Sequence, residues 1–247
     1  MSGPDGLALR AEGVALGYGG RPVVTDLDLD VRPGEVLVIA GPSGCGKSTL
    51  LRAFAGLLPA AAGRVTAGGE PVTGPSADRA LVFQDDALLP WRTARRNVEL
   101  PLAIRGVPRG ERRERAAHWL ERVGLADAAG RLPRELSGGM RQRVQLARAL
   151  AGEPRAILMD EPFGALDAQT RATMQRLLVE VLASAPATVV FVTHDVDEAL
   201  LIGDRVVVLG PRGVAAEVRP GTGAPDHILR DRLLSALGAR DETKEAV

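Results

Sequence analysis

One nine-residue segment, Gly41–Thr49 with the sequence GPSGCGKST, constrains the fold of this chain more than any other. It directly follows the apolar run Val36–Ala40, and it leads into a stretch with helical character, Ser48–Leu58. Glycines let backbone N–H groups approach an anion closely, and the N-terminus of a helix adds partial positive charge. The segment matches the pattern G-x-x-x-x-G-K-[ST] in its required context. It therefore predicts a phosphate-binding loop between a buried strand and a helix.

Lysine is scarce in this chain, which gives the lysine of the loop particular weight. Lys47 and Lys244 are the only lysines among 31 basic residues. Arginine is a planar fork whereas lysine is a compact point charge, so a retained lysine indicates a role that arginine cannot fill. With this composition, roughly 0.002 chance matches to the loop pattern are expected. Lys47 is predicted to reach the β- and γ-phosphates of a nucleotide, and the Ser48 hydroxyl to bind Mg²⁺.

Composition and charge exclude several classes of protein. The 31 basic and 31 acidic residues cancel, whereas a dedicated nucleic-acid-binding protein would carry a basic excess, so no nucleic-acid partner is expected. The longest apolar run has five residues, and a membrane span needs about 20. The start, MSGPDGLALR, has no apolar signal core, and the single cysteine, Cys45, excludes an internal disulfide. We expect a soluble chain that stays in the cytosol.

Short apolar strands alternate with helical stretches along most of the chain. Leu7–Tyr18 and Val23–Val31 are separated by Gly-Gly-Arg-Pro, which predicts an N-terminal antiparallel hairpin. Such alternation of strands and helices predicts an α/β fold with a mainly parallel sheet. Besides Val36–Ala40, the predicted buried strands are Ala80–Phe83, Ala156–Met159, Thr188–Thr193 and Arg205–Leu209.

Two segments lack buried strands. Trp91–Leu150 is predicted to be wholly helical and to form a separate lobe. Residues 220–247 are rich in Gly and Pro, then contain a predicted short helix, His227–Leu237, and a polar tail. This extension is too short for an added domain, so residues 1–247 are predicted to form one domain.

Two adjacent carboxylates, Asp160 and Glu161, follow the predicted strand Ala156–Met159. The carboxyl end of such a strand lies beside the phosphate loop in open α/β sheets. Asp160 is predicted to hold Mg²⁺ through water, and Glu161 to act as general base toward the attacking water. An acidic pair after a strand can also be a solvated turn. The phosphate loop in the same chain favours the catalytic interpretation.

The tripeptide Ser137-Gly138-Gly139 precedes an arginine-rich helical stretch, Arg141–Leu150. In one interpretation Ser137 is the N-cap of this helix. In the other, its hydroxyl and the glycine N–H groups bind a phosphate. One chain cannot easily present two such sites to one nucleotide, so the second interpretation predicts a contribution from a second chain.

The motifs, in their order along the chain, resemble those of ABC-type ATPases. They are GPSGCGKST, LSGGM, ILMDEP, GALD and VTHD, and the resemblance covers about residues 7–210. It implies a P-loop NTPase (RecA-like) fold: a mainly parallel sheet core with an N-terminal antiparallel β subdomain and a helical subdomain at about 91–150. It also implies a head-to-tail dimer that holds two ATP molecules, each between the phosphate loop of one chain and the LSGGM signature of the other.

The resemblance assigns roles to single residues. Tyr18 would stack on adenine, His194 would contact the γ-phosphate, and Gln84 would sense Mg²⁺ and the attacking water, while Asp167 would lie in the loop at the dimer interface. Tyr18 and His194 also have structural interpretations, as packing residues of a hairpin and of a strand end. Met140 stands where the fullest signature has Gln, which affects only a contact of that side chain. The implied catalytic residues are Glu161, His194 and Gln84; the implied Mg²⁺ ligands are Ser48, Gln84 and Asp160; the implied ATP-binding residues are Tyr18, Gly41, Pro42, Ser43, Gly44, Cys45, Gly46, Lys47, Ser48, Thr49, Ser137, Gly138 and Gly139.

The stretch Leu88–Trp91, with the sequence LLPW, resembles that of the nitrate, sulfonate and taurine group of ABC importers. This implies that hydrolysis of ATP to ADP and phosphate drives uptake of a small anion such as nitrate, a sulfonate or taurine. The implied partners are integral membrane permease subunits, a second ATPase subunit (a homodimer) and, indirectly, a periplasmic or extracellular solute-binding protein. The implied location is peripheral, on the cytoplasmic face of the membrane. Trp91 would face the permease, or would anchor the helical lobe.

A soluble ABC ATPase without a role in transport is the alternative. The chain has only one cassette, and no long coiled-coil insertion separates the phosphate loop from the signature. Both features favour the importer.

Overall fold

The computed structural model describes residues 6–85, 87–164, 166–184, 187–210, 213–221 and 224–238. The strands are β1 (Leu9–Tyr18), β2 (Arg21–Val31), β3 (Val36–Ala40), β4 (Ala62–Ala67), β5 (Glu70–Pro71), β6 (Arg79–Val82), β7 (Ala156–Asp160), β8 (Thr188–Val192), β9 (Arg205–Gly210) and β10 (Gly213–Val218). The α-helices are α1 (Lys47–Ala55), α2 (Ala94–Ile104), α3 (Arg109–Arg122), α4 (Gly138–Ala151), α5 (Ala168–Ser184), α6 (Val196–Ile202) and α7 (Asp226–Gly238).

The chain divides into two compact units. The inserted unit comprises residues 76–187 and contains β6, β7 and α2–α5. The discontinuous unit comprises residues 6–75 and 188–238 and contains the other elements. Helices α2 and α3 lie within the segment predicted to be helical, and α4 begins within it and ends one residue beyond it, at Ala151. That residues 1–247 act as one domain stays a prediction.

The N-terminal hairpin of the discontinuous unit confirms the prediction from the alternating sequence. Strands β1 and β2 are antiparallel and are joined by Gly19 and Gly20, whose φ angles are 55° and 78°. A two-residue turn with positive φ at both positions matches the twist of the strands that it connects. Strand β4 adds to the other edge of β1, and β5 adds to β4, which completes an antiparallel sheet.

The parallel strands of the discontinuous unit determine where its site residues lie. Strand β3 lies between β8 and β9 and is parallel to both, with Ile39 opposite Val192 and Ala40 opposite Val208. Every residue of these three strands is buried, as expected for near-continuous apolar runs. Because parallel strands end at the same edge of a sheet, the loops that begin at Gly41 and at Thr193 emerge next to each other.

The inserted unit repeats this arrangement with strands β6 and β7, which are parallel. Val82 lies opposite Met159, so the residues that follow the two strands emerge at one edge. Helix α2 packs against both α3 and α4 in the same unit. No helix in the described part of the chain combines the length and the apolar character needed to cross a membrane.

Candidate nucleotide-binding site

The predicted phosphate loop lies between β3 and α1, as its sequence context requires. Gly46, directly before α1, has a φ of 100°, which side chains rarely adopt. A Cβ atom at this position would lie 2.2 Å from Cγ2 of the buried Val24. Gly44, in the same loop, has a φ of 79° but has no atom within 4 Å of such a Cβ. Gly46 is therefore required both by the backbone and by packing, and Gly44 by the backbone alone.

Replacing Gly46 with Ala is expected to destabilise the chain more than replacing Gly44 with Ala. Both variants carry the cost of positive φ, but only Gly46→Ala forces Val24 to move, and such overpacking costs about 1–3 kcal/mol. Urea unfolding without nucleotide, which gives the free energy of unfolding, measures the difference. Equal losses in the two variants would show that the contact with Val24 imposes no constraint.

The backbone of the phosphate loop holds the side chain of Lys47 in place. Lys47 is buried, and its ammonium group donates hydrogen bonds to the carbonyl oxygens of Gly41 (2.7 Å) and Pro42 (3.0 Å). These bonds hold the positive charge beside the first two residues of the loop. The single cysteine of the chain, Cys45, lies in the same loop and is half-buried. Its Sγ lies 2.8 Å from the position that a Cβ atom of Gly41 would occupy, so Cys45 packs against that glycine.

The N-terminus of α1 differs from those of three other helices. Side chains of Thr93, Ser137 and Asp195 cap α2, α4 and α6, each accepting a hydrogen bond from a first-turn N–H group. In the described part of the chain no side chain caps α1 in this way, because Gly46 is its N-cap. The first N–H groups of a helix seek an acceptor, and a phosphate supplies one. The loop therefore fits the phosphates of a nucleotide.

Tyr18 ends β1 and leaves nearly half of its surface (46%) accessible to solvent. Its hydroxyl accepts a hydrogen bond from the guanidinium of Arg52 on α1 at 2.9 Å. The ring is thus attached to the helix that follows the phosphate loop and is not packed in the core. This exposure fits stacking against a base better than the packing interpretation.

His194 follows β8 and is exposed. The next residue, Asp195, caps α6 by accepting from the N–H groups of Asp197 and Glu198 at 2.9 and 3.1 Å. The segment between β8 and α6 is therefore held at both ends, at the edge of the sheet where the phosphate loop also emerges.

The inserted unit brings together the carboxylates and the glutamine that the sequence predicted. Asp160 is the buried last residue of β7. Glu161 follows it with a φ of 45°, an unfavourable conformation for a residue with a side chain. Gln84, which follows β6, donates from Nε2 to Oε2 of Glu161 at 3.5 Å. Residues held in such strained conformations concentrate at functional sites, which supports a catalytic role for Glu161.

Ser137 caps α4, as one of the two interpretations of the sequence predicted. Its Oγ accepts a hydrogen bond from the Met140 N–H group at 3.3 Å. Helix α4 begins at Gly138, three residues earlier than the predicted Arg141, because this cap extends the helix through both glycines. The glycines leave the N-terminus of α4 without side-chain bulk, so the cap and a phosphate contact are compatible.

Asp167 has the same capping role at the next helix. Its carboxylate accepts from the N–H group and the hydroxyl of Thr170 at 2.9 and 2.8 Å, and these bonds hold the pKa of Asp167 below its ordinary value. The carboxylate therefore remains ionised at neutral pH, in the loop that the resemblance assigns to the dimer interface.

The residues predicted to bind Mg²⁺ offer suitable ligands. Ser48, Gln84 and Asp160 supply a hydroxyl, an amide and a carboxylate oxygen, and Mg²⁺ prefers such oxygen donors. The described residues contain no group of three or more His, Cys, Asp or Glu side chains that could hold a metal by themselves. Mg²⁺ in nucleotide sites usually keeps several waters and is held by one or two carboxylates together with substrate phosphates. The oxygen donors of Ser48 in the discontinuous unit, and those of Gln84 and Asp160 in the inserted unit, are each of the kind that such a site uses.

The segment that contains Trp91 is anchored by a residue that sequence reasoning missed, the fully buried Asn97 of α2. Its Oδ1 accepts from the Leu89 N–H group at 2.8 Å, and its Nδ2 donates to the carbonyl oxygens of Leu89, Arg92 and Thr93. The sequence signal that could have revealed it is an amide side chain that lies among apolar residues on one face of a helix. Trp91 itself is 73% exposed, so it is not a core anchor of the helical lobe.

Comparison with known proteins identifies the family. The family model described as ABC transporter matches residues 24–164. The taurine import ATP-binding protein TauB of Chromobacterium violaceum is 51% identical over 217 residues, which are 86% of this chain and 83% of that protein. The protein of the same name from Mesorhizobium japonicum is 49% identical over 84% of this chain and 82% of its own length. The one from Yersinia pestis bv. Antiqua is 45% identical over 82% of this chain and 80% of its own length.

Solved structures agree with this assignment. A dimeric structure of the bacterial ABC transporter cassette MJ0796 is 35% identical, with a TM-score of 0.79. A dimeric structure of a post-hydrolysis state of the same cassette, bound to ADP and Pi, is 33% identical, with a TM-score of 0.78. Each covers 85% of this chain and 98% of the solved chain. The predicted α/β, P-loop NTPase fold is confirmed.

The resemblance to the nitrate, sulfonate and taurine group is likewise confirmed by the curated relatives. A family match over more than half of the chain, together with relatives that span most of it, shows that the chain belongs to the ABC transporter family and is one of its ATP-hydrolysing cassettes.

Proposed function

We propose that this chain is the ATP-hydrolysing subunit of an ABC importer. The contact between Gln84 and Glu161 is the observation that carries the hydrolytic part of the proposal. It places the Gln84 amide beside the carboxylate of Glu161, a site residue with an unfavourable, positive φ. Relatives named as taurine import ATP-binding proteins support the role in import.

The chemistry needs positioning and electrostatic stabilisation more than covalent catalysis. Lys47 and the N–H groups of the loop bind the β- and γ-phosphates of ATP. Glu161 accepts a proton from water as the water oxygen attacks the γ-phosphorus and the bond to the leaving oxygen of ADP breaks. Ser48, Gln84 and Asp160 would hold Mg²⁺ in this proposal, Asp160 through water, and the ion would supply positive charge toward the phosphates. Tyr18 stacks on adenine, and His194 contacts the γ-phosphate.

A head-to-tail dimer completes the site in this proposal. Ser137, Gly138 and Gly139 of one copy bind the γ-phosphate of the ATP held by the loop of the other copy, and Asp167 lies at the interface. The uncrowded, capped N-terminus of α4 and the dimeric structures of a similar cassette support this arrangement. ATP binding closes the dimer, hydrolysis reopens it, and the permease follows that motion.

The proposed transported solute is taurine or a related small sulfonate, and the names of the relatives support it. Uptake of radiolabelled taurine by cells that express the chain together with a permease and a solute-binding protein tests this. We expect uptake that Glu161→Gln abolishes and that excess alkanesulfonate reduces. Competition by nitrate alone would reassign the solute, and a cassette that never associates with a membrane permease would favour the soluble ATPase.

The surface around Trp91 is the proposed docking site for the permease, at the cytoplasmic face of the membrane. A cavity of about 340 Å³ beside Trp91 is lined by four arginines and one acidic residue, Arg92, Arg96, Arg109, Arg112 and Glu99, and by Ala103. An exposed tryptophan on a segment that Asn97 holds in place loses little conformational freedom on binding, and such aromatic and arginine groups dominate interface energies. These properties suit an acidic cytoplasmic segment of the permease.

Replacing Trp91 with Ala is expected to weaken binding of the permease by about 30-fold, the effect of losing a hot-spot residue. The matched control is Ile104→Ala, which removes another exposed apolar side chain of the inserted unit, 69% accessible, outside the cavity lining. Kd values for the permease in lipid nanodiscs, measured by biolayer interferometry, give the comparison. If both variants bind as the wild type does, the docking surface lies elsewhere.

A further inference from the structure

Helix α4, which begins at the signature, carries a buried glutamine that no motif accounts for. Gln145 is 1% exposed, and its Nε2 donates a hydrogen bond to the carbonyl oxygen of Phe83 at 3.1 Å. Only the nitrogen of an amide can donate to a carbonyl, so this contact fixes the orientation of the side chain. Gln145 thus holds the residue directly before Gln84.

A second residue of α4 holds the other side of Gln84. Arg148 lies one turn after Gln145 on the same helix face, and its guanidinium donates to the carbonyl oxygen of Ala87 at 3.0 Å. The backbone is therefore fixed both one residue before and three residues after Gln84. The same helix begins at Gly138 and is capped by Ser137, so one rigid element joins the signature to the Gln84 segment.

The amide oxygen of Gln145 indicates that this residue is not present for the stability of the fold alone. Its Oε1 is buried and has no hydrogen-bond partner among the residues that the structure describes. An unsatisfied buried acceptor costs free energy, whereas an apolar side chain of similar size at this position would not. The presence of glutamine despite this cost indicates that the hydrogen bond it donates to Phe83 has a function.

We propose that Gln145 is a positioning residue for ATP hydrolysis, which fixes Phe83 and thereby places Gln84 against Glu161. The inference rests on the proposed function, because it requires that Gln84 and Glu161 act in hydrolysis. Gln145 is buried and contacts the backbone of Phe83, so we expect its effect to reach the reaction through Gln84.

The test is a double-mutant cycle of Gln145→Met and Gln84→Ala in the full chain, with kcat and KM for MgATP measured by phosphate release. Methionine keeps the volume but cannot donate. Misplacement of a reacting group by about 1 Å costs up to 10²-fold, so we expect kcat of Gln145→Met to fall by about 10- to 100-fold with KM changed less than about twofold. The double variant should be no slower than Gln84→Ala, because in this inference Gln145 acts on the reaction through Gln84.

Two further variants keep the test decisive. Gln175→Met, which replaces another buried glutamine of the inserted unit, on α5, is the control and should retain the wild-type kcat. Gln145→Asn keeps the amide but shortens its reach, so it should reproduce the loss seen in Gln145→Met even if the methionine variant folds poorly.

The outcomes separate this inference from the function on which it rests. A wild-type rate for Gln84→Ala would overturn the role of Gln84 and the inference with it. A slow Gln84→Ala with an unaffected Gln145→Met, or with losses that multiply in the double variant, would overturn only the role of Gln145.

Discussion

Replacing Glu161 with Gln is expected to slow ATP hydrolysis by about 10²–10⁴-fold, the usual contribution of a general base. Glutamine keeps the shape of the side chain and its contact with Gln84, but it cannot accept the proton of the attacking water. ATP should still bind, so the variant should accumulate as an ATP-bound dimer. Phosphate release and size-exclusion chromatography with MgATP measure the two effects.

The matched control for this substitution is Glu153→Gln. Glu153 also adopts positive φ, 48° against 45° for Glu161, and its carboxylate pairs with Arg115 on the surface. Glu153→Gln therefore makes the same substitution, with loss of one negative charge, at a residue of similar backbone conformation outside the candidate site. A Glu161→Gln variant that hydrolyses at the wild-type rate, or that stays monomeric with ATP bound, would remove Glu161 from the role of base.

The second large effect concerns the contribution of Ser137 to the nucleotide held by the other copy. Ser137→Arg and Lys47→Ala should each be inactive alone. In a mixed dimer, one site carries both substitutions and the other carries neither, so each mixed dimer should regain about half the wild-type rate if the sites act independently. Phosphate release after mixing the two purified variants gives the result.

A control is needed because Ser137 also caps α4. Losing the cap costs about 0.5–2 kcal/mol, which would lower activity through stability alone. Ser137→Asp keeps a capping oxygen but sets a carboxylate against the γ-phosphate, so it should be as inactive as Ser137→Arg with an unchanged melting temperature. If mixing restores nothing, crosslinking of an azido-ATP to the opposite chain distinguishes obligately coupled sites from a wrong arrangement.

Elements with strong local patterns were predictable. The hairpin of β1 and β2 follows from alternation around a glycine turn, and β3, β7, β8 and β9 follow from continuous apolar runs. The candidate site shares this predictability, since Gly41–Thr49, Asp160 and Glu161 are placed by the strands that precede them. The interpretation of Ser137 as a cap was also local, because an N-cap depends on a few neighbouring residues.

Features that depend on distant partners were not predictable. Strands β4, β5 and β10 are short and have no continuous buried apolar run, and their pairing, not their composition, makes them strands. Asn97 and Gln145 appear in the sequence as polar residues in helices, and only the fold shows that each holds the backbone of a segment outside its own helix. The unfavourable φ of Glu161 has no signature in its residue type.

The position of β3 in its sheet has a consequence for synthesis of the protein. Both of its parallel neighbours, β8 and β9, come from the far end of the chain. The ribosome must add about 150 residues after β3 before β8 is complete, which takes roughly 8–30 seconds at about 5–20 residues per second. During that time the apolar run VLVIA emerges without the strands that will cover its edges. The yield of folded protein in a cell thus depends on how well chaperones shield this nascent segment until residues 188–210 arrive.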